Sequence, residues 1–206
     1  MGTAFVENKF IILFSILIFI IPMFIGYIFA HYISELLNPM VDSFRDRVQN
    51  GDIKIAFDSI FLNNIKVGII MYGGAVVFGL LTALLLISNG VFIGYFATQM
   101  PLNAFLLYTL PHGIFEIPAV ILAGASGFIL FKFIVSFIFN IFSSKINENH
   151  NNFDNLTLKD KIVYSLNFNI NKLTQSISLF GLSFVLFIIA AVVEAYLTIP
   201  IASFFI

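Results

Sequence analysis

The sequence predicts an all-α membrane protein: a polytopic helix bundle of about five transmembrane helices with amphipathic interface helices, in one domain over residues 1–206. Of its 206 residues, 60% are hydrophobic and 10% are charged, whereas a soluble domain carries about 25% charged residues. The mean hydropathy is +1.02. Several apolar runs are about 20 residues long, which is the length that a helix needs to cross roughly 30 Å of hydrocarbon. These three observations place the chain in a bilayer.

The apolar runs are predicted to form spans near 10–30, 67–88, 91–110, 112–139 and 176–199. The first follows a segment with a single lysine and is too long for a cleaved signal peptide, so we expect an uncleaved span. In the second, Ala75, Gly79 and Ala83 recur at four-residue spacing, which favours close packing against another helix. The tight-turn dipeptide Asn89-Gly90 is expected to end that span.

The third span is the weakest, because Gln99, Pro101 and Asn103 interrupt it. Two half-helices or a re-entrant segment are alternatives there, and a re-entrant segment would change the topology by one crossing. The fourth span contains Pro118 near its start, and the fifth contains Glu194 near its end.

Two polar stretches separate the spans. Residues 31–66 mix charged residues with apolar ones loosely at helical period, which indicates one or two helices lying on the membrane surface; a solvated loop is the alternative. The Asn-rich residues 147–152 are typical of a flexible loop. Residues 158–173 have the pattern of an amphipathic helix that leads into the last span.

Composition also limits the function. The chain has no cysteine, so disulfides, thiol chemistry and Cys-ligated metals are excluded, and a net charge of −1 does not indicate nucleic acid binding. So little aqueous sequence excludes a separate soluble catalytic domain. The His-Glu-x-x-His motif of metalloproteases is absent, and no Ser-His-Asp arrangement stands out. We therefore expect neither an enzyme nor a cofactor.

The segment 111–127 places two ionisable groups, His112 and Glu116, inside an apolar run. At helical spacing they lie one above the other, and the same face continues through small residues. An ionisable group at membrane depth is costly and must be paired or face a cavity. This face is therefore predicted to be buried against other helices of the bundle.

With five spans, the start of the fourth and the end of the fifth lie on the same side of the membrane. His112, Glu116 and Glu194 should then share a leaflet at similar depth, because each carboxylate lies only a turn or two from its helix end and a turn rises about 5.4 Å. We predict that these three form an intramembrane polar cluster. Its possible partners, which come from the start of the second span, are Asn63, Asn64 and Lys66.

Three roles are open for this predicted cluster. It can be a hydrogen-bonded network that fixes how the spans pack. It can be a metal or proton site, because one His and two carboxylates can ligate a divalent cation. It can also line a transport pathway, since ionisable residues inside a membrane mark such routes and an interrupted third span would border it.

Several motifs resemble a known family. Residues 111–119, Pro-His-Gly-Ile-Phe-Glu-Ile-Pro-Ala, are similar to a signature of the stage II sporulation protein M family. Residues 61–64, the dipeptide Asn89-Gly90 and the segment 193–195 also match in order and spacing. The resemblance covers nearly the whole chain, and it marks Asn63, Asn64, Asn89, Gly90, Pro111, His112, Gly113, Glu116, Pro118 and Glu194.

The resemblance implies a polytopic protein of bacteria or archaea whose namesake is a membrane scaffold for a peptidoglycan-degrading complex. We therefore expect a non-enzymatic scaffold or assembly factor, multi-pass in the cell membrane. Its expected partners are membrane lipids and other envelope proteins, without nucleic acid, and its small-residue faces also permit a homodimer. The alternative is a small transporter or channel that uses the His/Glu cluster.

Overall fold

The residues that the structure describes are almost all helical. The computed structural model describes residues 2–49, 57–142 and 157–205. The helices are α1 (Gly2–Glu7), α2 (Lys9–Ile28), α3 (Ala30–Gln49), α4 (Phe57–Gly73), α5 (Leu80–Phe96), α6 (Leu102–Phe142), α7 (Leu158–Val193) and α8 (Ile199–Phe205). Within these residues, four segments are long and apolar enough to cross a membrane: Lys9–Ile28, Phe57–Val77, Leu102–Phe142 and Leu158–Phe204. The apolar helix Leu80–Phe96 is shorter. The predicted fold class, an all-α membrane helix bundle, is confirmed.

The centre of the bundle is α6, whose residues 119–127 are all buried. Helix α7 packs along it in the opposite direction. The hydroxyl of Ser183 donates to the carbonyl of Ala119 at 2.6 Å, and the hydroxyl of Ser165 donates to the carbonyl of Phe137 at 2.8 Å. Since later residues of α7 meet earlier residues of α6, the two helices form a long antiparallel pair.

Helices α2 and α5 form a second close pair, which is parallel. A Cβ added at Gly90 would collide with the carbonyl oxygen of Phe19, and one added at Gly94 would collide with that of Met23. Only glycine lets the two backbones approach so closely. The turn predicted at Asn89-Gly90 is therefore wrong: in this apolar helix the backbone keeps its helical hydrogen bonds, and the glycine serves interhelical contact.

The predicted single span 67–88 is also wrong, because the chain reverses inside it. Helix α4 gives way to a 3₁₀ turn at Gly74–Val77. Gly79 has φ +71°, a left-handed conformation that residues with a Cβ rarely adopt. The hydroxyl of Thr82 closes the turn by donating to the carbonyl of Met71 at 2.7 Å. The small residues that predict a packing face here build a tight hairpin instead.

The predicted spans 91–110 and 112–139 are wrong in their boundaries. The helix break lies at 97–101, where the interruption of the third span predicts a weakness. Residues 102–142 then form the single helix α6. Pro111 and Pro118 lie inside α6 without ending it. Each removes one backbone hydrogen bond, and the packing of α6 against its neighbours holds the helix together.

The amphipathic helix expected within 31–66 is present as α3. Its apolar side chains Leu37 and Val41 pack against Tyr95 of α5, whose hydroxyl donates to Oδ1 of Asn38. The helix predicted at 158–173 is the first half of α7. The loop predicted at 147–152 lies outside the described residues.

Candidate functional site

His112 and Glu116 lie one turn apart in the amino-terminal half of α6. Nε2 of His112 is 3.8 Å from Oε2 of Glu116, which is longer than the 2.7–3.2 Å or so of a direct hydrogen bond. The two side chains are 14% and 29% exposed. The pair is therefore half-buried and is not directly hydrogen-bonded.

Glu194 is contributed by an irregular turn at the end of α7. There the helix widens into a π-helical turn, Glu194–Thr198, before α8 begins. Pro200 lies two residues after Thr198, and a proline ring clashes with the carbonyl four residues earlier in a regular helix. The wider turn relieves that clash, and single π-helical turns of this kind are frequent at functional sites.

The structure brings His112, Glu116 and Glu194 together across α6 and this turn. One ligand atom from each side chain lies within 4.8 Å of the other two. Thr198 joins them, because its Oγ1 is 3.3 Å from Nδ1 of His112. Such a group of one imidazole and two carboxylates can hold a cation or share protons; its role stays a prediction.

The three predicted partners from α4 are placed differently. Asn64 is 9% exposed, and its Nδ2 has no hydrogen-bond partner in the described part of the chain. Helix α4 contacts the π-helical turn. Asn63 and Lys66 are exposed, and among residues 2–49, 57–142 and 157–205 neither pairs with the cluster. Lys66 therefore does not neutralise the two carboxylates in this structure.

The other motif residues divide between two helices. Pro111, Gly113 and Pro118 flank the His/Glu pair on α6, whereas Asn89 and Gly90 lie on α5. In the sequence of α6, His112 and Glu116 thus lie between two prolines. A Cβ added at Gly113 would meet its nearest atom at 3.7 Å, an ordinary contact, so close packing does not explain this glycine.

Sequence reasoning misses Thr198 and a polar seam between α6 and α7. Along this seam α7 places side chains on one face that bond to α6 or to each other. Their helical spacing could have predicted a polar face, but the many apolar residues of the span make this pattern hard to recognise. The seam consists of Ser165, Asn169, Lys172, Ser176 and Ser183.

Apolar helices around a half-buried His/Glu cluster define an integral membrane protein of the helix-bundle class. The sequence pattern described as "Stage II sporulation protein M" matches residues 15–199. The chain belongs to the stage II sporulation protein M family, as the motifs of residues 111–119 indicate. This is not a known family of enzymes.

Two relatives come from the archaeon Methanocaldococcus jannaschii. Uncharacterized protein MJ0706 is 28% identical over 207 residues, covering 96% of this chain and 86% of the relative. Uncharacterized protein MJ0793 is 27% identical over 198 residues, covering 94% of this chain and 96% of the relative. No solved structure matches the chain.

Proposed function

We propose that this protein is a non-enzymatic scaffold, multi-pass in the cell membrane, that organises partner envelope proteins. Membership of the stage II sporulation protein M family supports this role, because the resemblance implies that the protein after which the family is named is a membrane scaffold. The arrangement of the helices supports it too, because one part of the bundle extends beyond the rest.

The observation that carries the proposal is the projection of the α6–α7 pair. At the start of α2, Nδ2 of Asn8 donates to Oε1 of Gln175 at 2.7 Å, which sets the level of α2 on α7. Gly79, in the turn between α4 and α5, packs against Phe128 and Phe131 of α6. Residues 132–142 therefore extend past both, by about 16 Å at 1.5 Å per residue.

This projecting end is apolar on its outer side. On α6, Val135, Ile138, Phe139 and Phe142 are between 47% and 80% exposed. The polar seam ties α6 to α7 over the same stretch, where Nζ of Lys172 donates to Ser136. A rigid, apolar arm of this kind offers a partner membrane protein a surface beyond the bundle's own core.

A homodimer stays part of the proposal, but it needs a different surface from the one expected. The small-residue faces of the sequence are used inside the bundle: Ala75, Ala119 and Ala123 are at most 1% exposed. The projecting arm is the better surface for self-association, because its outer apolar side chains are exposed.

The absence of native cysteine allows a direct test. The full chain carrying Phe139→Cys, on the arm, is cross-linked in native membranes with a thiol-specific reagent, and Phe24→Cys on the exposed face of α2 is the matched control. We expect cross-linked protein adducts of defined mass from Phe139→Cys. From Phe24→Cys, whose side chain faces lipid, we expect no cross-link to another protein. Equal adduct patterns from both positions would show that the arm is not the assembly surface.

A small transporter or channel is the second candidate, favoured by one observation: the Glu116 side chain is 29% exposed although it lies in a membrane helix. A transport site must be reachable by water from at least one side. Flux of ions in vesicles that Glu116→Gln abolishes, while Phe139→Cys leaves it unchanged, would favour transport over the scaffold.

A further inference from the structure

The cluster at the π-helical turn has the composition and spacing of a small metal site. We propose that His112, Glu116 and Glu194 bind one divalent transition-metal ion, for which Zn²⁺ is the probe, and that the ion ties α6 to the end of α7. The proposal concerns ion binding alone and stands whether the protein is a scaffold or a transporter.

The hydrogen bonds around His112 leave one ring nitrogen ready for a metal. The hydroxyl of Thr198 donates to the carbonyl of Val193 at 3.2 Å, so its oxygen accepts from Nδ1–H of His112 at 3.3 Å. The lone pair of the imidazole is then on Nε2, which faces Glu116 at 3.8 Å. Metal-binding histidines are held in this manner, with the second ring nitrogen bonded to a neighbouring acceptor.

The spacing of the three ligand atoms suits an ion between them. Three atoms that are at most 4.8 Å apart all lie within about 2.8 Å of some common point. Nitrogen and oxygen ligands bind Zn²⁺ at about 2.0–2.2 Å. Inward movement of each side chain by less than about 1 Å therefore completes the coordination, and half-exposed glutamates have that freedom.

Charge favours a cation at this position. Two carboxylates converge on an imidazole lone pair, so three electron-pair donors face one another. In the described residues no lysine or arginine forms an ion pair with Glu116 or Glu194. One divalent ion would balance both carboxylates, where membrane burial makes unbalanced charge costly.

The ligand set also indicates the class of ion. One imidazole with two carboxylates and no thiolate suits Zn²⁺, Mn²⁺, Co²⁺ or Fe²⁺, whereas Ca²⁺ and Mg²⁺ prefer sites made of oxygen alone. Three protein ligands leave at least one coordination position open for water or a further ligand. We therefore expect Zn²⁺ to stay bound in an excess of Mg²⁺.

The experiment uses the full chain, purified in detergent with a histidine-free tag and stripped by a chelator. Equilibrium dialysis against Zn²⁺ should give one ion per chain, and Co²⁺ should give a visible absorption spectrum. Glu194→Gln and His112→Gln should weaken binding by more than about 100-fold. Thr198→Val, which keeps every ligand but removes the support of Nδ1, should weaken it by about 10- to 100-fold.

Two matched controls come from α3, where His31 and Glu35 are exposed. His31→Gln and Glu35→Gln should bind Zn²⁺ as the wild type does. The proposal is overturned by a wild type that binds Zn²⁺ no more tightly than Glu194→Gln, by controls that lose as much affinity, or by displacement with Mg²⁺. Because Thr198→Val retains the ligands and adds no charge, it keeps the test decisive if a ligand variant fails to fold.

Discussion

Replacement of Gly94 by alanine tests the closest helix contact in the bundle. The new Cβ would strike the carbonyl oxygen of Met23, which belongs to the backbone of α2 and cannot rotate away. Helices α2 and α5 must separate, and overpacking of this kind costs about 1–3 kcal/mol. Alanine also gains about 0.5–1 kcal/mol over glycine in a helix, which offsets part of that cost.

Gly181 on α7 provides the matched control, because a Cβ added there meets nothing within 4 Å. Gly181→Ala receives the same gain in helix propensity without the collision. Since that gain cancels between the variants, Gly94→Ala should be less stable than Gly181→Ala by about 1–3 kcal/mol.

The free energy of unfolding is measured in mixed micelles by reversible denaturant titration followed by circular dichroism. The wild type should lie between the two variants or close to Gly181→Ala. If Gly94→Ala proves as stable as Gly181→Ala, the close parallel contact of α2 with α5 does not exist as described.

Three further substitutions and one control variant probe single hydrogen bonds, by the same unfolding titration or by proteolysis. Ser183→Ala removes a bond across the α6–α7 seam and should cost about 0.6–1.7 kcal/mol, whereas Thr174→Ala, which loses only a bond within its own helix, should cost less. Thr82→Val leaves the carbonyl at the α4–α5 hairpin unpaired and should cost about 1–3 kcal/mol. Tyr95→Phe breaks the bond to Asn38 and should make trypsin cleave α3 faster without unfolding the bundle.

A different result would contradict each of these expectations. Equal losses from Ser183→Ala and Thr174→Ala would mean that the seam adds nothing beyond local bonding. A neutral Thr82→Val would show that this hydrogen bond does not stabilise the hairpin. Unchanged cleavage in Tyr95→Phe would mean that the apolar contacts of Leu37 and Val41 suffice to hold α3.

The fold class could be predicted because apolar length and low charge have one explanation, a helix in a bilayer. The helix boundaries could not be predicted, since a glycine can serve either in a turn or in a contact between helices. Gly79 at four-residue spacing reads as a packing face and is a turn residue at φ +71°. Gly90 beside Asn89 reads as a turn and is a packing residue. Local spacing does not show whether a glycine is needed for a turn of the backbone or for close contact with another helix.

The grouping of His112, Glu116 and Glu194 was nevertheless accessible, because it depends on little. It requires only that the last two long helices are antiparallel neighbours, so the misplaced boundaries of the second and third spans do not affect it. Thr198 was not accessible in this way. It reaches His112 through a π-helical turn, and the sequence signal for that turn is a single proline two residues further on, Pro200, which at that place reads as the end of a helix.

The π-helical turn therefore links the local sequence around Pro200 to the cluster of His112, Glu116 and Glu194. A regular helix would also place Glu194 and Thr198 on one face, because they are four residues apart. The wider turn differs in that the hydroxyl of Thr198 donates to the carbonyl of Val193, five residues earlier, which fixes the position of this hydroxyl beside His112. Pro200 favours the wider turn locally, and the wider turn aligns the hydroxyl that orients the imidazole. Replacing Pro200 with alanine should thus disturb Zn²⁺ binding although residue 200 provides no ligand, whereas an unaltered affinity would separate the turn from the site.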